Sequence, residues 1–135
     1  MIVIDASALV SILMPEHDGA LLSERLGRNR SSQRFVSTVS IWEAACAVGR
    51  LKNCDRKLGL QLVDEIMSAL AIAPIAPDIA VTALAVEAAE RYGMGPGRPG
   101  ILNLGDCFSY ATAKHLGAAL LFKGDDFGRT DIEPA

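Results

Sequence analysis

Long apolar runs are missing from this chain of 135 residues, half of them hydrophobic. No stretch approaches the ~20 residues a membrane-spanning helix needs. No basic region precedes the apolar residues at the start, and Asp5 interrupts them, so no signal peptide is expected. Histidine and cysteine are scarce. The three cysteines, Cys46, Cys54 and Cys107, are odd in number and lack metal-ligand spacing, which argues against a zinc site and a disulfide framework. They are expected to be reduced and mostly structural, in a cytoplasmic protein. Strong charge of either sign is also missing: the net charge is −3, which neither demands nor forbids a nucleic-acid partner. Internal repeats are absent too. With 21% charged residues the chain is globular rather than disordered, and its length fits one domain, residues 1–135.

What is present is an alternation of short apolar runs and helical stretches. Met1 to Ser7 runs Met-Ile-Val-Ile-Asp-Ala-Ser. Three apolar residues leading into a carboxylate describe a strand buried on both faces. Ala6 to Leu13 is predicted helical and ended by Pro15, and a second helix is predicted over Glu16 to Leu26. Gly27 to Arg34 is polar and reads as a loop, and Phe35 to Ser37 suggests a short strand. Ser40 to Leu51 is an apolar-faced helix, Asp55 caps a long one through Ile72, and Ile75 lies in a short extended piece. Pro77-Asp78 opens an Ala-rich helix that Gly93 ends. Gly93 to Gly105 is a Gly/Pro-rich surface loop, Asp106 to Leu116 a helix, and Ala118 to Phe122 a buried strand. This order predicts an α/β layer fold with a mostly parallel sheet flanked by helices.

Several acidic residues fall at the same kind of place. Asp5 and the pair Asp125-Asp126 follow strands, and Glu43 and Asp106 lie near helix starts. Each has an ordinary explanation. Asp5 and Asp106 can cap helices, Ser40-x-x-Glu43 has the spacing of a capping box, and Asp125-Asp126 makes a polar turn. In a parallel sheet, however, these places converge on one edge, where ligands bind. Crowded carboxylates repel unless a cation offsets them. Hard divalent cations are the usual remedy, and Mg²⁺ takes one or two carboxylates with waters and phosphates. Such a cluster suits metal-assisted phosphodiester hydrolysis.

The residues also resemble a known family. Met-Ile-Val-Ile-Asp-Ala-Ser-Ala, Ser-Ile-Trp-Glu-Ala, the block Leu102-Asn-Leu-Gly-Asp-Cys-Phe-Ser-Tyr-Ala, and Leu120-Leu-Phe-Lys-Gly-Asp-Asp-Phe-Gly-Arg-Thr-Asp come in the order of the PIN-domain ribonucleases. The chain is similar in particular to VapC toxins of bacterial type II toxin–antitoxin pairs. The resemblance implies a three-layer sandwich with Mg²⁺ or Mn²⁺ held by acidic residues. Asp5, Glu43 and Asp106 match three of those acids, Asp5 and Asp106 being the most direct metal ligands. Asp125, with Asp126 as the alternative, matches the fourth. Ser7 and Thr130 match positions whose hydroxyls line the site. The resemblance further implies an RNA substrate, a cognate antitoxin that blocks the active-site groove, and a homodimer or toxin–antitoxin hetero-oligomer.

Substrate contacts are read from the basic residues. Arg25, Arg28, Arg30 and Arg34 lie along the second helix and its loop, and Arg50, Lys52, Arg56 and Lys57 surround Asn53-Cys54. They form either a solvated face or a set of phosphate contacts. Arg98, in the glycine loop, is the basic residue expected nearest the scissile phosphate. Trp42 is expected in the core or a dimer interface rather than stacked on a base, and His115 has no catalytic role. A different class remains open: a receiver-like signalling module or phosphatase, with Lys123 beside an acidic Mg²⁺ site. Against it, the chain begins Asp5-Ala6-Ser7, without paired acids.

Overall fold

Ile2, Val3 and Ile4 form β1, and their alternating side chains feed two separate cores. Val3 points into one with Leu120; Ile2 and Ile4 point into the other with Val36, Ile72 and Leu121. A strand that is apolar on both faces has to be covered on both. The computed structural model describes residues 1–14 and 16–135. Among these, four parallel strands lie in the order β3-β2-β1-β4: β1 (Ile2–Ile4), β2 (Arg34–Ser37), β3 (Ile72–Ile75) and β4 (Ala119–Leu121). The flanking helices are α1 (Ala6–Leu13), α2 (His17–Arg28), α3 (Thr38–Leu51), α4 (Arg56–Ala69), α5 (Ile79–Tyr92) and α6 (Leu104–Leu116). Helices α5 and α6 cover the Val3 face, and α1 to α4 supply residues to the other. The result is a three-layer α/β sandwich, as the alternation predicted.

Pro74 sits in β3, the edge strand, where a residue without an N–H costs the ladder least. Helices α3 and α4 pack as an antiparallel pair because Gly59 carries no side chain. A Cβ there would strike the Ala45 carbonyl oxygen. Helix α1 ends at Leu13 as expected; Pro15 itself lies outside the described residues.

Three boundaries differ from the sequence reading, each because of a cap or a pairing. Helix α4 stops at Ala69 rather than Ile72. Ala71 then takes a left-handed turn (φ +53°) so that Ile72 can pair with Arg34. Helix α6 begins at Leu104, with Asn103 as its cap, rather than at Asp106. Helix α3 begins at Thr38, so the Ser40/Glu43 capping box does not form. Strand β2 carries Ser37 to the cap position, where its hydroxyl accepts from the Val39 N–H at 3.3 Å. Ser40 and Glu43 therefore lie inside the helix, with side chains free for other work.

Candidate active site

Asp5 leaves the sheet at the carboxyl end of β1, still tied to it by its own N–H to the Leu121 carbonyl at 2.9 Å. It also caps α1, as the simpler reading had it. Its side chain is only 3% exposed, and a buried carboxylate must be hydrogen-bonded. Oδ2 accepts from the Ser7 N–H (2.9 Å) and the Ser7 hydroxyl (2.6 Å). Oδ1 accepts from the Ser109 hydroxyl at 2.6 Å, and Ser109 in turn lies 2.9 Å from the hydroxyl of Ser40. Ser7 also accepts the Lys123 N–H at 3.0 Å, joining the start of α1 to the segment after β4. Asp5 is thus fixed in one orientation by donors from α1 and α6. Ser109 and Ser40, both fully buried, escaped the sequence reading. They are 104 and 35 residues from Asp5 in the chain, and no local pattern marks them.

Glu43, on the second turn of α3, faces Asp5 and Asp106. Its carboxyl is pushed up to about 7, first by burial and then by the charges of Asp5 and Asp106. Asp106, the third residue of α6, accepts the Asn103 N–H at 3.0 Å, while Asn103 accepts the Asp106 N–H at 2.9 Å. It therefore performs the capping role and faces the acidic cluster as well. Burial raises Asp106 to about 6, against the lowering effect of the Asn103 hydrogen bond, and the charges of Asp5 and Asp126 push further upward. Among the described residues no ion pair involves Asp5, Glu43 or Asp106. Gly105 explains how α3 and α6 approach so closely here. A Cβ at that position would overlap the Glu43 carboxylate, so the residue before Asp106 has to be small.

These side chains line a cavity of about 570 Å³ together with Ser7, Ser11, Glu16, Trp42, Asn103, Arg50 and Lys123. Lys123 pairs with Glu16 at 2.6 Å and with Asp18 at 3.7 Å, and the Ser11 hydroxyl donates to Glu16 at 2.8 Å. The Lys123 ammonium and the Ser11 hydroxyl together hold Glu16 below the usual carboxylate range.

Other residues singled out from the sequence lie elsewhere. Arg98 gives its guanidinium to both oxygens of Glu90 at 2.6 Å and does not line this cavity. The cations that do are Arg50 and Lys123. Thr130 spends its hydroxyl on the Phe127 carbonyl (2.7 Å) and the Ile132 N–H (3.3 Å), bracing a turn instead of lining the cavity. Asp125 and Asp126 are both exposed. The sequence reading preferred Asp125 as nearer the strand end, but Asp126 is the one whose charge reaches Asp106. Trp42 is 68% exposed and so is no part of the core. His115 is exposed near the end of α6, away from the cavity.

A PIN domain model matches residues 2–133. The chain belongs to the PIN-domain family. Within it the relatives are VapC proteins. Ribonuclease VapC42 of Mycobacterium tuberculosis is 38% identical over 133 residues, which cover 98% of each chain. A VapC ribonuclease of Rhizobium meliloti is 37% identical over 139 aligned residues, 96% of this chain and 97% of its own. The crystal structure of M. tuberculosis VapC20, described as a Sarcin-Ricin loop cleaving toxin, superposes with a TM-score of 0.75. It covers 100% of this chain and 98% of its own at 13% identity, a likeness of fold.

For a PIN domain the question is whether the donors fit a divalent cation. Among the described residues no three acidic, His or Cys side chains close around a common point, so the protein does not supply a complete cage. The donors are nevertheless all carboxylate oxygens, the type hard cations prefer. Glu43 and Asp106 are raised because nothing positive offsets their mutual repulsion. Asp5 and Asp106 are the pair placed to hold an ion whose remaining ligands are waters and phosphate, and Glu43 stands beside them.

Proposed function

We propose that this PIN domain is a metal-dependent endoribonuclease, the toxin of a type II toxin–antitoxin pair. The observation that carries this reading is the convergence of Asp5, Glu43 and Asp106 on one cavity without a basic partner, in a chain 38% identical to VapC ribonucleases along nearly its whole length. When bound, Mg²⁺ or Mn²⁺ would lower the pKa of a water and neutralise charge at the phosphodiester. The chain's own residues do the rest. Ser7 and Ser109 fix the Asp5 carboxylate, so that it need not reorient when the site is loaded. Asp106 is held by its cap at the start of α6. Glu43 stands at the cavity wall, where its carboxylate can orient a water and take its proton. Asp126 is the fourth acid of this proposal. Arg50 and Lys123 give positive counterparts at the cavity rim for phosphate oxygens.

In this reading residues 1–135 work as one domain in the cytoplasm, as a homodimer or in complex with a cognate antitoxin that closes the cavity. The receiver-like alternative gains nothing from the geometry, since Lys123 is already engaged by Glu16 and Asp18. The test is cleavage of purified RNA with Mg²⁺ by the wild-type chain and by Asp106→Asn. The wild type should generate discrete fragments and the variant should leave the RNA intact. Equal cleavage by both would overturn the assignment. In cells, growth arrest on expression should be relieved by co-expressing the neighbouring antitoxin gene.

A further inference from the structure

The acidic cavity does not end at the carboxylates. Along α3 it passes Trp42, Cys46 and Arg50, and from there two further clefts open toward α4. One, of about 550 Å³, is lined by Arg50, Arg56 and Lys57. The other, of about 380 Å³, is lined by Trp42, Leu60 and the same Arg56 and Lys57. Two observations mark this surface. Among the described residues the ion pairs engage Arg28, Arg91, Arg98, Lys114 and Lys123, and none engages Arg50, Arg56 or Lys57. The one acid lining these two clefts, Asp55, is occupied in accepting the Leu58 N–H at 2.8 Å. Trp42, the chain's single tryptophan, is 68% exposed at the junction of the acidic cavity and the basic clefts. Exposing an indole between unpaired cations gains nothing for the fold, since neither packs in the core.

We propose that Trp42, Arg50, Arg56 and Lys57 form a subsite for single-stranded RNA leading away from the acidic cavity, with an unpaired base stacked on Trp42 and neighbouring phosphates taken by the three cations. This inference rests on the ribonuclease reading and adds which face carries the strand and in what form. Stacking on an aromatic platform tolerates any base but requires one free of pairing. Phosphate contacts make the affinity depend on salt. The subsite therefore selects unpaired segments. A duplex presents no free π-face to Trp42.

Because Trp42 is the only tryptophan, its fluorescence reports the contact directly. Asp106→Asn, expected not to cleave, is titrated with a single-stranded oligoribonucleotide and with the matching duplex. Labelled-RNA anisotropy measures binding in parallel. The single strand should quench Trp42, and the duplex should not. Arg56→Ala and Lys57→Ala should each weaken binding and flatten its log–log salt slope by about 0.7. In the cleaving chain, Trp42→Ala should raise KM about 10-fold with little change in kcat. Binding of the single strand without quenching, or an unchanged KM in Trp42→Ala, would overturn the subsite while leaving the ribonuclease reading intact. Quenching by a basic amphipathic peptide but not by RNA would also overturn it and give the face to a protein partner. Failure of the wild type to cleave any RNA would defeat the underlying reading instead.

Discussion

Replacing Glu43 by Gln keeps the side chain's shape and removes its charge, which separates what that charge costs the fold from what it does for catalysis. The native carboxyl moves from 4.5 to about 7, through burial first and then through Asp5 and Asp106. The folded chain therefore holds this proton more tightly than the unfolded chain does. An acid whose folded pKa is raised weakens the fold as pH climbs from the unfolded value to the folded one. Here the penalty is absent below about 4.5 and complete above about 7. At about 1.4 kcal/mol per pKa unit the shift corresponds to about 3 kcal/mol. Solvent screening at a half-buried group reduces that to about 1–2 kcal/mol. Without metal, Glu43→Gln should therefore melt about 3–8 °C above the wild type near pH 8, and the two should converge near pH 4. In Mg²⁺ the same variant should lose at least ~100-fold in RNA cleavage, the scale of a missing charged group at a reacting centre. Thermal melts at the two pH values, with initial cleavage rates, make the measurement. A variant that melts below the wild type near pH 8, or whose advantage persists unchanged near pH 4, would refute the electrostatic reasoning. Cleavage within a few-fold of wild type would remove Glu43 from the site.

Ser109→Ala deprives buried Asp5 of the donor on Oδ1; a denaturant titration should show a loss of about 1–3 kcal/mol, and cleavage should fall at the same time. Gly105→Ala puts a methyl where the Glu43 carboxylate lies. Because the flexible end of Glu43 can yield, melting should change little while cleavage drops sharply. Tyr110→Phe removes the 2.6 Å hydrogen bond to Asp131, first among the causes that lower that carboxyl from 3.8 to about 2. The stabilisation Asp131 lends is present above about 3.8 and lost as pH falls through about 2. The variant should therefore lose acid resistance in that window, and its carboxyl should titrate nearer the ordinary value by NMR. Cleavage should be unaffected, since Tyr110 does not line the acidic cavity.

Much of the fold is legible because β1 states its own burial: three apolar residues in a row, then a carboxylate, can only be an inner strand ending at a ligand edge. Asp5, Asp106 and the strands follow from that pattern. The Glu43 reading was ambiguous because Ser40-x-x-Glu43 has a capping box's spacing, and the ambiguity is resolved only by where β2 ends. Ser37 takes the cap, and Glu43 is released to the cavity. Asp125 and Asp126 are indistinguishable by sequence distance. A turn's geometry decides which one Asp106 feels. Arg98 drew attention by its place in the glycine loop, but Glu90, eight residues earlier on α5, takes its guanidinium. Ser109, Ser40 and Gly105 gave no local signal, because their roles exist only once α3 and α6 meet. Trp42 misleads in the opposite direction, since a lone tryptophan on an apolar-faced helix suggests core and this one faces solvent.

The central claim is that the carboxylates at the strand ends await a divalent cation needed for cleavage but not for folding. Its most direct measurement is RNA cleavage and far-UV circular dichroism on one sample: as purified, after EDTA, and after excess Mg²⁺ is restored. The two buried cores are complete without any ion. Chelation should therefore abolish cleavage and leave the spectrum unchanged, and Mg²⁺ should restore the activity. Cleavage that survives EDTA, or a spectrum that collapses with it, would contradict the account.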